Sequence, residues 1–303
     1  MEGTDTARIK EEEEEMKPWE QHSSVIKLPR YDYNAPSSLL THSHSAFLIT
    51  CTIKREKSAT KEAIHILHNF LANRTSYFLL PFLYYRVFFL LIQHSFPMFI
   101  AIAATDTSLA ALSLVKLTRS GLILFIFPNN IFHDTLSIVS NIIQALESRN
   151  LTFPLWCHRI LPIQATCSLK EKELQEVVST LVKKFVDAKQ DKLGRPLKFA
   201  VGFNRRGIEE TKSVKENLNA LLDRSKCFEI VASAVNNVVK DSVVDLRSPE
   251  LSVLVEVLPL SGIPNGSIVV AVSVLPSNLV STKPRLCVKA LNPNNTKEGS
   301  LAQ

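Results

Sequence analysis

The chain has 303 residues, 46% of them hydrophobic and 21% charged, with a net charge of +6 and a pI of about 9.0. That is enough apolar material for two compact domains and excludes a wholly disordered chain. The basic excess favours an anionic partner such as RNA or a membrane surface, and five dispersed cysteines without a C-x-x-C pair point away from a disulfide framework or a zinc site.

Residues 1–44 are polar, carry the acidic run Glu11–Glu15 and lack apolar periodicity, so they read as a disordered tail without a secretory h-region. Phe47–Cys51 is a short apolar strand. A helix follows, with Ala59, Ala63, Ile64, Leu67, Phe70 and Leu71 on one side. Ser113–Leu117 and Leu122–Phe127 read as a hairpin turned at Thr118–Gly121. Phe132, Leu136, Val139, Ile142, Ile143 and Leu146 mark a second amphipathic helix, and Arg159–Ile163 is a strand again. The order β-α-β-β-α-β is that of a ferredoxin-like domain, placed at residues 45–158.

Tyr77–Ala104 does not fit that order. It is apolar and exceeds the ~20 residues that a bilayer span requires. It also contains Pro81, Arg86, Gln93, His94 and Pro97, and a charge near the centre of a span costs at least about 2.5–3.5 kcal/mol. We read residues 77–104 as an insertion foreign to the fold, as translated unspliced sequence would be. The alternative is a membrane-anchored interaction protein that uses this stretch.

A second α+β unit is placed at residues 159–275. Leu174, Val177, Val178, Leu181, Val182 and Phe185 form one helical stripe, and Ser168 with Glu171 has capping-box spacing. Phe199, Val201 and Phe203 alternate as a strand that ends in Asn204-Arg205-Arg206. Ser213 and Glu216 repeat the capping spacing before Val214, Leu218, Leu221 and Leu222. Two strands, Ser252–Leu258 and Ser267–Val274, flank a reversal at Pro264-Asn265-Gly266. Residues 276–303 are rich in Pro, Asn and Ser and read as a second disordered tail.

Charge is uneven. Leu155–Lys240 holds 16 Lys/Arg against 10 Asp/Glu and so carries the whole net charge. Neither a G-x-x-x-x-G-K-[ST] loop nor a G-x-G-x-x-G run occurs, and 8 glycines are poor material for a nucleotide cradle. His65 and His68 lack a third ligand. Cys157-His158 is a sequence neighbour pair, which is not triad geometry. No catalytic residue, metal site or cofactor is assigned.

Phe47–Cys51, the run Arg159-Ile-Leu-Pro-Ile-Gln-Ala-Thr-Cys167 and the run Val244-Asp-Leu-x-x-Pro249-x-x-x-Val253-x-Val255-Glu256-Val257 together resemble the THUMP-domain proteins that assist tRNA cytidine acetylation. The resemblance covers roughly Ser45–Leu71 and Ser113–Val274. It implies a ferredoxin-like domain followed by a THUMP domain, which dock together on tRNA. It further implies a non-catalytic adaptor for a separate acetyltransferase that forms N4-acetylcytidine in serine and leucine tRNAs. A nuclear or nucleolar location, with the cytoplasm as a second site, follows from the resemblance alone.

The chain departs from that family at Ser120-Gly121-Leu122 and at Gly207-Ile208. RNA of this kind is read by shape and phosphates, and Arg pairs with phosphate through its planar fork. The candidate RNA-binding residues are Arg159, Lys183, Lys184, Lys198, Arg205 and Arg206. For Arg159 the competing reading is a brace at the domain junction, made through a carboxylate.

Overall fold

The computed structural model describes residues 28–71, 112–127, 134–189, 196–208, 223–264 and 267–292. Tyr77–Ala104, the expected helix at Val214–Leu222 and the outer parts of both expected tails lie outside the described residues. Among the described residues, no helix is long and apolar enough to cross a membrane. The fold class is α+β, as the sequence indicates.

The first sheet is built from β1 (Ala46–Cys51), β2 (Ser113–Val115), β3 (Leu122–Ile126) and β4 (Cys157–Ile163) in the order β2-β3-β1-β4, with every pairing antiparallel. This is the split β-α-β arrangement, in which each helix returns the chain to a non-adjacent strand. The helices are α2 at residues 56–71 and α3 (Thr135–Glu147). Asp134 starts α3 by accepting the Ser137 N–H at 3.0 Å. The helices cover Phe47, Ile49, Phe125 and Ile160, so one side of the sheet is closed by its own module.

The second sheet runs β5-β9-β8-β6-β7. Its strands are β5 (Ala165–Ser168), β6 (Leu197–Asn204), β7 (Ser242–Val244), β8 (Leu251–Leu258) and β9 (Val269–Pro276). Two helices, α4 (Glu171–Ala188) and α5 (Arg224–Val238), cover one face of it. Residues Val253, Val255, Val270 and Val272 point to these helices, while Leu254, Leu258, Val269 and Ala271 point the other way. Strands β8 and β9 are thus buried on both faces. That explains why 251–258 and 269–275 read as unbroken apolar runs and not as alternating ones.

The outer face of the first sheet, with Ala46, Leu48, Leu124, Leu161 and Ile163, packs on that second face. The molecule is a four-layer stack of helices, sheet, sheet and helices. The run Arg159–Cys167 crosses between the layers. Residues up to Ile163 pair with β1, and those from Ala165 pair with β9. Gln164 makes the step, with its N–H on the Val272 carbonyl at 3.1 Å and its Oε1 accepting the Val274 N–H at 2.6 Å. The second sheet accordingly begins after Gln164, because Arg159–Ile163 belongs to the first one.

Three local expectations are corrected. Helix α4 is not capped by Ser168 and Glu171. Its N-cap is Lys170, and it is Glu173, three residues on, that accepts the Ser168 N–H at 3.1 Å and the Lys170 ammonium at 3.0 Å. Burial alone pushes the Glu173 carboxyl up, but these bonds outweigh it and hold the group below its usual range. Before β1, residues 28–44 are not a loose tail. α1 (Ala35–Thr41) buries Leu39 in the inter-sheet core. Buried His44 donates its Nδ1–H to the Phe127 carbonyl and accepts from the Ser38 hydroxyl, and its backbone N–H reaches Thr166 Oγ1 at 2.9 Å.

The segment after Leu275 is ordered as well. A turn of 3-10 helix (Ser277–Leu279), β10 (Val280–Ser281) and β11 (Cys287–Val288) carry Leu279 and Leu291 into the first module's core. A few well-placed leucines and backbone bonds, such as Leu291 N–H to the His158 carbonyl at 2.8 Å, fix a stretch whose composition alone suggests disorder.

Candidate nucleic-acid interface

A cleft of about 1170 Å³ is lined by residues of both modules. Six described segments build it: the β1–β4 pair, the β2–β3 turn, the end of β6 with its following turn, the start of α5, β8, and a strap at residues 285–288. Six arginines line it: Arg119, Arg159, Arg205, Arg206, Arg224 and Arg285. Among the described residues, Glu256 is the one carboxylate that lines it. Low-dielectric walls lined by one sign of charge focus potential in the space between them.

Each arginine is placed by local geometry. A bulge between β1 and β4 sets Thr50 opposite Arg159 and Cys51 opposite Cys157, which leaves His158 as the extra residue. Bulges re-aim side chains, and here both His158 and Arg159 border the cleft. The Arg159 Nε donates to the Val288 carbonyl at 3.1 Å. That bond ties β4 to β11 through a backbone carbonyl, where the competing reading had a carboxylate. Burial and then the adjacent Arg159 charge push the His158 imidazole below its usual pKa. Its ring bonds Thr52 Oγ1 at 3.1 Å, and Cys157 instead donates its thiol to the Ala59 carbonyl at 3.3 Å.

Beyond β6 the chain turns at Arg205–Ile208, closed by the Ile208 N–H on the Arg205 carbonyl at 3.0 Å. Arg206 has φ 51° and Gly207 has φ 75°, a left-handed pair that needs glycine or a locally bonded residue. Asn204 Oδ1 supplies the local bond by accepting the Arg206 N–H at 3.1 Å. The Arg206 Nε then reaches Glu256 Oε2 at 2.7 Å, with side chains only 16% and 9% exposed. Burial pushes the Glu256 carboxyl up, against the pull of Arg206 and then Arg285. The cleft's carboxylate is therefore already paired. Arg119, from the β2–β3 turn, donates to the Gly207 carbonyl and ties the two modules at the cleft mouth. A Cβ on Gly207 would stand 3.2 Å from the Arg119 guanidinium, which would have to shift slightly, and it is the φ of 75° that favours glycine there. Arg224 opens α5 and stacks over Phe228 at 5.0 Å, so the positive end of that helix dipole also borders the cleft.

Of the sequence candidates, Arg159, Arg205 and Arg206 meet in the cleft. Lys183 and Lys184 are exposed on α4, which covers the opposite face of the second sheet. Lys198 starts β6, about 20 Å along the strand from Asn204 at ~3.3 Å per residue. It pairs with Asp245 at 3.3 Å. Asp245 also accepts the N–H groups of Ser248 and Arg247, bonds that pull its carboxyl well below the usual range, so this part of the Val244–Val257 run shapes a turn. Sequence reasoning missed Arg119, Arg224 and Arg285. Only the basic residue in the expected hairpin turn hinted at Arg119.

The thiols give a probe of the cleft. Cys51, Cys157, Cys167 and Cys227 are buried, and burial pushes the first, third and fourth up to about 12. Cys287 is only half-buried and borders the cleft. A maleimide at neutral pH is expected to label Cys287 first by mass spectrometry, and bound tRNA is expected to slow that labelling. Equal labelling rates at all five cysteines would contradict the burial pattern.

The THUMP domain family matches residues 170–259, which run from the start of α4 past the end of β8. Those residues are a THUMP domain. No curated protein matches the chain. Two solved structures are similar to it over 77% of its length, each at 10% identity. One is PH1313 from Pyrococcus horikoshii Ot3, with a TM-score of 0.36 and 55% of that chain covered. The other is a 4-thiouridine synthetase in complex with RNA and bound ATP, with a TM-score of 0.34 and 42% covered. The chain spans about half the length of these two proteins.

Proposed function

We propose that the chain is a tRNA-binding adaptor, without catalytic chemistry of its own, that presents tRNA to a separate cytidine acetyltransferase. The observation that carries the RNA half of this reading is the cleft. Six arginines of the described residues line one space beside a THUMP domain, and the acid that also lines it is paired with Arg206. Guanidinium forks held on strand ends and turns match phosphate oxygens bidentately.

The adaptor half is supported by the two motif runs. Arg159–Cys167 crosses from one sheet to the other, and Val244–Val257 supplies the turn at Asp245 and the partner of Arg206. Residues characteristic of those acetylation partners thus build the junction that holds the cleft open. The mechanism is presentation. Bound tRNA is held near the enzyme, which raises the local concentration of one cytidine. In this reading serine and leucine tRNAs are the substrates, and the nucleus or nucleolus is the site of action, with the cytoplasm as a second site.

The test is acetylation itself. Cells without this chain are expected to lose N4-acetylcytidine from serine and leucine tRNAs, and purified chain given ATP, acetyl-CoA and tRNA is expected to form none. Acetylation by the purified chain alone would overturn the adaptor reading.

A further inference from the structure

A second, smaller groove of about 330 Å³ lies on the first module beside the cleft. It is bordered by Tyr31, Lys57, Thr60, Thr118, Arg119 and Ser120. Arg119 and Ser120 also border the cleft, so the two spaces meet across the β2–β3 turn. The Arg119 guanidinium, bonded to the Gly207 carbonyl, stands on the ridge between them.

Tyr31 is held there by backbone. It bridges Leu114 on the free edge of β2, and the next N–H, from Asp32, bonds the Leu114 carbonyl at 2.8 Å. Its side chain is 45% exposed, although backbone pairing fixes its position. The acid in this groove, Glu56, accepts the N–H groups of Gly121 at 2.8 Å and Lys54 at 3.2 Å on one oxygen, Oε1, and Lys57 and Arg119 together outweigh its single charge. Thr60 and Thr118 donate their hydroxyls to the Glu56 and Pro259 carbonyls. Tyr31, Lys57, Arg119 and the Ser120 hydroxyl, with apolar Leu114, Leu117 and Ile123, remain around a space of nucleotide size. Aromatic platforms beside a basic track take unpaired bases irrespective of sequence, because every base has a π-face.

We propose that this groove is a subsite for one unpaired nucleotide of RNA leaving the cleft. Its base stacks on Tyr31 and its phosphate lies between Lys57 and Arg119. The proposal rests on the RNA reading of the cleft. It adds base stacking to a site whose other contacts are charge-based.

The experiment uses the full chain and a fluorescent single-stranded oligonucleotide of about eight nucleotides. A second probe of the same length carries abasic sites and so keeps every phosphate. Wild-type protein is expected to bind the normal oligonucleotide about tenfold more tightly than the abasic one. Tyr31→Ala is expected to erase that difference, and Tyr31→Phe to keep it. Equal binding of both probes by wild type, or an unchanged preference in Tyr31→Ala, overturns the subsite and leaves the cleft intact. If neither probe nor tRNA binds at all, the RNA reading of the cleft fails and the subsite with it.

Discussion

Glu256→Ala is expected to lower the stability of the chain by about 3 kcal/mol, a fall in Tm of roughly 6–10 °C by calorimetry. The side chain of Glu256 projects from β8 into the inter-sheet space, where it is 9% exposed, and its partner Arg206 is 16% exposed. Taking either charge out of water is costly, and what offsets that cost is the 2.7 Å bond between them. Truncating the acid leaves a guanidinium with half-buried surroundings and a second cation, Arg285, close by. The figure is the lower end of the range for breaking a buried pair, because Arg206 borders the cleft and retains some water.

Removing both charges should undo most of the damage. Replacing a buried pair by apolar residues of similar volume is often neutral, so Glu256→Leu combined with Arg206→Met is expected to melt near wild type. The double variant removes one positive and one negative charge together, so its tRNA affinity is expected to stay near wild type. A single variant that melts within a degree of wild type would show that the pair contributes little to the fold.

Charge reversal in the cleft is the second large effect. Arg205→Glu, Arg224→Glu and Arg285→Glu are each expected to weaken tRNA binding about tenfold or more, the worth of one charge-assisted hydrogen bond. Combined, they should weaken it by roughly a thousandfold if the sites act independently. Arg285→Glu also sets a second acid near buried Glu256, so a melt of each variant separates lost binding from lost folding. Lys183→Glu and Lys184→Glu serve as the contrast. They put the same charge change on α4, across the second sheet from the cleft, and are expected to alter affinity by no more than about twofold, since exposed charges beyond a Debye length of ~8 Å are largely screened. Equal losses from the α4 and cleft variants would place the RNA on the helical face.

Much of the architecture was legible because hydrophobic period follows element type. Phe47–Cys51 and Phe199–Phe203 showed a buried strand face, and the α4 stripe from Leu174 to Val182 showed its helix. The first hairpin closed at Gly121, φ 76°, as expected; the other expected reversal includes residues 265–266, which lie outside the described residues. Helix α5 was overlooked although Cys227, Ile230, Val231, Ala234 and Val235 keep the i, i+3, i+4, i+7, i+8 spacing. Small and sulfur-bearing residues give that stripe low contrast.

The division at Gln164 was invisible for a different reason. Residues on both sides of it are apolar strand, and only pairing partners distinguish one sheet from the other. The arginine cluster was the least legible feature. Its members come from a hairpin turn, a bulged strand, a left-handed turn, a helix start and a strap expected to be loose, and only the packing of two sheets brings them together.

The most direct test of the central claim is the salt dependence of tRNA binding by the full chain. Each neutralised phosphate contributes about −0.7 to −0.9 to the slope of log K against log salt concentration. With Arg205, Arg224 and Arg285 engaged, the slope is expected to be at least about −2, and it should flatten by nearly one unit for each of these arginines reversed. A folded chain that binds tRNA with a flat slope, or does not bind it, would contradict the account of the cleft as an RNA site.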